Sequence, residues 1–91
     1  MSKILVEHDP SPMKLEVIGV DSWPLWTRDV STFERRYDQT EMCYFLEGDV
    51  IVTPTDGQPV QMGEGDLVTF LADLSCAWEI RSPVRKHYRV G

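Results

Sequence analysis

Apolar and polar residues alternate with a period of two over much of this chain. In "SCAWEI" Cys76, Trp78 and Ile80 share one parity, and Ala77, Glu79 and Arg81 share the other. Successive side chains of a strand point to opposite faces, so the charged parity faces water and Cys76 and Trp78 face inward. In "PVRKHYRV" Val84, Lys86, Tyr88 and Val90 alternate with Arg85, His87 and Arg89, and the apolar parity carries Lys86 inward with it. "RYDQTEMCYF" has apolar groups on both parities, so periodicity leaves its facing open; one parity gives Arg35, Tyr37, Glu41, Cys43 and Phe45.

Runs rich in Val, Ile, Tyr, Phe and Trp read as strands near residues 3–7, 14–19, 33–37, 41–46, 49–54, 59–62, 67–70, 75–81 and 84–90. Six prolines punctuate the chain, and a proline inside a helix costs about 3 kcal/mol. Helix is therefore expected only as one or two short turns, around residues 20–30. "TPTDGQP", "GEGD" and "LEGD" read as turns, the first through Asp56-Gly57, which tolerate positive φ. Many short strands between such turns predict an all-β sandwich or small β-barrel. Closing the barrel also removes exposed strand edges.

Length and charge narrow the functional classes. Ninety-one residues make one domain over 1–91. A net charge of −6 repels phosphate backbones and anionic lipid, so neither nucleic acid nor membrane is an expected partner. The apolar run in "MSKILVEHDPSP" is too short for a signal-peptide core, and no stretch approaches the roughly 20 apolar residues of a membrane span. The expected location is the cytoplasm. Cys43 and Cys76 match no zinc spacing and are expected as free thiols.

With the strands placed, two stretches are distinctive: "EMCYFLEG" over Glu41–Gly48 and "GEGDLVTF" over Gly63–Phe70. They resemble the two motif blocks of the cupin superfamily, which line a small β-barrel (a double-stranded β-helix, or jelly roll) and usually supply metal ligands. On the first block Glu41 and Gly48 match, Arg35 and Tyr37 fall on the two histidine positions, and Asp29 replaces the leading glycine. On the second, Gly65 matches; Leu71, Asp73, Cys76 and Ile80 stand at the proline, glycine, histidine and asparagine positions. "WPLW", "CAWEI" and "PVRKHY" extend the likeness to short cupins of the ureidoglycine aminohydrolase-like, "cupin 3" group, over roughly residues 20–90. With one of four ligands retained, no metal and no cofactor is expected.

In such a barrel Arg35, Tyr37, Glu41, Cys76, Trp78 and Lys86 point into one lumen. One reading is a satisfied interior ion pair, with Arg35 or Lys86 neutralising Glu41. Another is a polar floor for a small anionic or zwitterionic ligand at the barrel mouth. Arg35, Tyr37, Trp78 and Lys86 would then bind substrate. Glu41 would be a general base, and Cys76 a nucleophile, a metal ligand or merely a small buried hydrophobe. Cys43 reads as core. Trp23 and Trp26 read as core plugs or a dimer seam, His8 as surface, and His87 as facing solvent or a partner subunit. The resemblance implies ureido or amino-acid-like compounds. The expected protein is thus a homodimer that binds a small polar metabolite; the alternative is a non-catalytic interaction module with a packed core.

Overall fold

β-Branched and aromatic runs form seven strands in the computed structural model, which describes residues 3–91. They are β1 (Ile4–His8), β2 (Leu25–Arg28), β3 (Ser31–Tyr37), β4 (Glu41–Pro54), β5 (Val60–Gly63), β6 (Asp66–Phe70) and β7 (Leu74–Val90). Helix α1 (Pro12–Ile18) and a 3-10 turn (Val20–Ser22) lie between β1 and β2. With 63% strand and 11% helix, the all-β expectation holds. No helix among the described residues is long and apolar enough to cross a membrane.

The two long strands are the spine. β4 and β7 pair antiparallel from Glu41 opposite Val90 to Pro54 opposite Cys76. On its other edge β4 takes β6 along Glu41–Tyr44 and β5 along Asp49–Val52. The other edge of β7 takes β3 along Leu74–Ile80 and β2 along Val84–His87, and β1 extends the sheet beyond β6. Tyr37 at the end of β3 stacks on Phe70 of β6, ring centroids 4.7 Å apart and 2° from parallel. Yet β7 and β4 stand between those strands in the sheet. Only a sheet rolled on itself brings the two rings together, and the interior it encloses is filled by Trp78, Phe45, Phe70, Val50 and Val52.

Three local expectations are corrected. Residues 14–19, expected as a strand for their Val and Ile, lie mostly in α1 and end at its cap. Ser11 caps that helix by accepting a hydrogen bond from Lys14 N, Pro12 opens it, and Gly19 closes it at φ 75°. Those flanking signals outweigh β-propensity over seven residues. Helix therefore starts before the expected 20–30 region, part of which instead forms β2. "LEGD" is not a turn but a bulge inside continuous β4, where the register slips between Phe45 and Val50. Gly48 sits there at φ 127°, and a Cβ would lie 2.9 Å from Val84 Cγ2, so the bend needs glycine. Likewise 75–81 and 84–90 are one strand. Pro83 lies where the β4 ladder skips, so its missing N–H costs no sheet hydrogen bond.

Candidate functional site

The ladder gathers charge at one end of the rolled sheet. Glu41 opens β4, and Cys43 and Phe45 follow on its face at the two-residue spacing of a strand. Lys86 lies opposite Phe45 on one side and Trp26 on the other, and Tyr88 lies opposite Cys43. Lys86 and Cys43 are therefore diagonal neighbours across the β4–β7 pair. Arg35 reaches the same end from β3.

These side chains form a connected set. Arg35 Nη2 donates to Glu41 Oε1 at 2.8 Å. The Cys43 thiol donates to Glu41 Oε2 at 3.4 Å and accepts from Lys86 Nζ at 3.1 Å. Lys86 Nζ stands 3.8 Å from Glu41 Oε2, with the Lys86 side chain 1% exposed and that of Glu41 4% exposed. Four rings surround the ammonium: Trp78 and Trp26 at 4.7 and 4.8 Å to their centroids, Phe45 and Phe70 at 5.8 and 5.9 Å. Their negative faces replace part of the hydration that Lys86 has lost. Above this floor opens a cleft of about 150 Å³ lined by Trp26, Arg35, Glu41, Lys86 and Tyr88. Arg35 and Lys86 both pair with Glu41, so the floor carries one positive charge in excess.

Burial sets the protonation of the thiols and the phenol. Desolvation pushes Cys43 up to about 11; the Glu41 carboxylate adds to the shift, and Lys86 opposes it. Cys43 is thus a thiol near neutral pH and keeps its proton for Glu41. Desolvation raises Tyr37 far above the usual phenol range, against the pull of the Arg35 guanidinium. Cys76 is also raised by burial, with the Trp78 indole and Arg35 drawing it partly back. The Trp78 Nε1 and the Tyr37 hydroxyl are both buried without a hydrogen-bond partner among the described residues.

The residues expected from the sequence separate into three places. Arg35, Glu41 and Lys86 meet at the cleft. Tyr37 and Trp78 lie beneath it in the core, Tyr37 stacked on Phe70 and under the Arg35 guanidinium, Trp78 under Lys86. Cys76 looks elsewhere: it lines a separate cleft of about 480 Å³ with Arg36, Thr53 and Ser75, and its thiol donates to the Arg35 carbonyl at 3.6 Å. Arg35 borders both clefts. His8 stays at the surface, bonded to Asp66 at 2.7 Å. His87 turns toward its own chain, its Nδ1 2.9 Å from the Trp23 carbonyl. Trp23 plugs a second small core with Val20 and Leu67.

Cys43, Trp26 and Tyr88 belong to the site although sequence reasoning did not assign them to it. Tyr88 shares the parity of Lys86, and Cys43 that of Glu41, so period two held that signal. Trp26 had none, because its place depends on β2 pairing with β7. Among the described residues no group of three or more His, Cys, Asp or Glu is placed to hold a metal ion. Glu41 and Cys43 are two donors, and both face an ammonium. This donor set does not fit the metal that the resemblance associates with such barrels.

A family model described as the EutQ-like cupin domain matches residues 15–88. None of the curated proteins matches the chain. Among solved structures, a DUF861 family protein from Thermotoga maritima is 45% identical, with a TM-score of 0.94 over 97% of this chain and 99% of that one. A putative ethanolamine utilization protein Q from Salmonella typhimurium is 21% identical, with a TM-score of 0.66 over 72% of this chain and 53% of that one. The EutQ protein of Clostridium difficile is 16% identical, with the same TM-score of 0.66, over 96% and 66%. At those identities the last two share the fold alone.

Proposed function

We propose that this chain, which belongs to the family of EutQ-like cupin domains, binds a small anionic metabolite at its barrel mouth, using fixed cations in place of a metal. The surplus positive charge of the Arg35–Glu41–Lys86 set carries this reading. Arg35 and Lys86 share a single carboxylate, so an incoming anion would supply the second negative partner that the two cations lack. Arg35 commits Nη2 to Glu41, and a guanidinium has further N–H groups for a planar carboxylate. Trp26 and Tyr88 supply aromatic walls.

Size limits the ligand. A cleft of about 150 Å³ equals roughly five waters' share of liquid volume, well below the ~300 Å³ where drug-sized pockets begin. It suits a carboxylate end with a few further atoms. The ureidoglycine aminohydrolase-like resemblance suggests ureido or amino-acid-like compounds. A ureido acid offers a carboxylate to Arg35 and Lys86 and a flat amide to Trp26 and Tyr88. For Glu41 to act as a general base, the ligand would first have to take over Arg35 and free Oε1.

The competing reading is a packed interaction module, favoured by the filled interior beneath the cleft. Thermal-shift screening separates the two. A ligand at a hundredfold its Kd stabilises by about 2.7 kcal/mol, so small carboxylates and ureido acids raise the melting temperature more than neutral ureas or amines. A flat response to every anion favours the packed module.

We also propose self-association. Among the described residues β1 and β2 each pair on one edge only, and they carry the exposed Leu5 and Leu25; uncovered edges invite a second chain. Light scattering at micromolar concentration should give a dimer; monomer alone removes this claim and leaves the site intact.

A further inference from the structure

We propose that Cys43 and Lys86 form a covalent modification site, in which a peroxide joins the cysteine sulfur to the lysine nitrogen through a single oxygen atom. The two atoms are 3.1 Å apart. Both side chains are sealed from solvent, Cys43 at 0% and Lys86 at 1% exposure, so neither swings freely away. The β4–β7 ladder fixes them as diagonal neighbours on one face, and a bridge across adjacent strands needs no backbone rearrangement. Cys76 offers a contrast within the same molecule. Its sulfur meets a backbone carbonyl and, among the described residues, hydrogen-bonds to no lysine.

The cleft brings peroxide, little larger than water, as far as Lys86 and Glu41, and the sulfur lies directly behind them, in contact with both. Glu41 Oε2 lies 3.4 Å from the sulfur and 3.8 Å from the nitrogen, within reach of protons released by both. The chemistry balances with two peroxides. In the first step the sulfur attacks a peroxide oxygen and the O–O bond breaks. Sulfur loses two electrons, and the products are a sulfenic acid and water. In the second step the sulfenic oxygen bonds to Nζ, and two more electrons, drawn from nitrogen, reduce the second peroxide to two waters. One proton is left over, and Glu41 relays it through the cleft to solvent. Burial keeps Cys43 protonated at neutral pH, so the reaction is slow and needs sustained peroxide.

The bridge also has a consequence for the ligand site. It converts the ammonium into a neutral N–H, and the floor's surplus positive charge disappears. That consequence rests on the anion-binding reading; the bond itself does not.

The test is mass spectrometry of the intact protein after hydrogen peroxide treatment, with peptide mapping under non-reducing conditions. The bridge adds one oxygen and removes two hydrogens, a gain of about 14 Da, whereas sulfenic acid or methionine sulfoxide adds about 16 Da. The expected result is a linked peptide pair holding Cys43 and Lys86, released by dithiothreitol. It persists in Cys76→Ser and is lost in Lys86→Arg. Cys43→Ser gives the same loss should Lys86→Arg not fold. Oxidation of Cys43 only by whole oxygen additions, or no linked pair under conditions that oxidise Cys76, overturns the proposal. Bridged protein should lose its thermal shift with carboxylates. A bridge that forms while the shift persists refutes anion binding by Lys86 and leaves the bond standing.

Discussion

Replacing Glu41 with alanine removes the carboxylate that both Arg35 and Lys86 contact. The two cations respond differently. The Arg35 side chain is 33% exposed and turns to water, so its lost pair costs little. Lys86 has no such exit and keeps, among the described residues, the surrounding rings and the Cys43 sulfur. Removing one partner of a buried pair costs about 3–5 kcal/mol, and the rings retain roughly 0.5–2 kcal/mol of favourable interaction. The expected loss is therefore near the lower end, about 3 kcal/mol. For a chain of this length that lowers the melting temperature by roughly 12–24 °C. Urea denaturation with an unchanged m-value is the assay. Glu41→Gln keeps an acceptor for Arg35 and should lose about 1–2 kcal/mol. Adding Lys86→Met to Glu41→Ala should recover stability, because it removes the orphaned charge. If Glu41→Ala unfolds within about 0.5 kcal/mol of the parent, like an ordinary surface substitution, Glu41 is not the partner of a buried cation and the site as described is wrong.

Stability should fall on the alkaline side. The Cys43 thiol rises from 9.0 to about 11 on folding, so its contribution is full below pH 9 and is lost as pH climbs toward 11. Tyr37 and Cys76 shift in the same direction, and Cys43→Ala should flatten part of the decline seen by circular dichroism; an unchanged slope refutes the assignment. Gly48→Ala should cost about 2 kcal/mol or more in denaturant melts, since it combines φ 127° with a 2.9 Å approach to Val84 Cγ2; a neutral effect would mean the bulge adapts. Elemental analysis of protein purified without chelators should find substoichiometric transition metal and a melting temperature indifferent to chelation. Near-stoichiometric metal, lost with the Glu41 side chain, would contradict the fixed-cation reading.

The inward face of the core strands was legible because strand period is a local property. Cys76, Trp78, Ile80, Val84 and Lys86 all point as their parity requires. Lys86 is the informative case: nothing in its chemistry favours burial, and only the apolar parity of its strand places it inside. The pairing of Glu41 with Arg35 and Lys86 followed from the same rule plus the cost of a buried carboxylate. What period two does not carry is which end of a strand meets which neighbour. Cys76 and Glu41 share an inward parity yet line different clefts, because Cys76 lies near the start of β7 while Glu41 pairs with its far end at Val90. Trp26 entered the site through β2, a four-residue strand without a readable alternation. The helix at Pro12–Ile18 was readable from Ser11-Pro12 and Gly19, but its β-branched residues drew the opposite assignment.

The central claim is that Arg35 and Lys86 hold a small anion at the barrel mouth. Calorimetric titration of the parent and Arg35→Met with a small ureido acid tests it most directly. Arg35 is partly exposed, so the variant should fold. The account predicts saturable binding at one site per chain in the parent, weakened at least about tenfold in Arg35→Met by loss of a charge-assisted pair worth roughly 1.5–3 kcal/mol. No binding of the ureido acid or of simple carboxylates by the folded parent, or equal affinity in Arg35→Met, would contradict it.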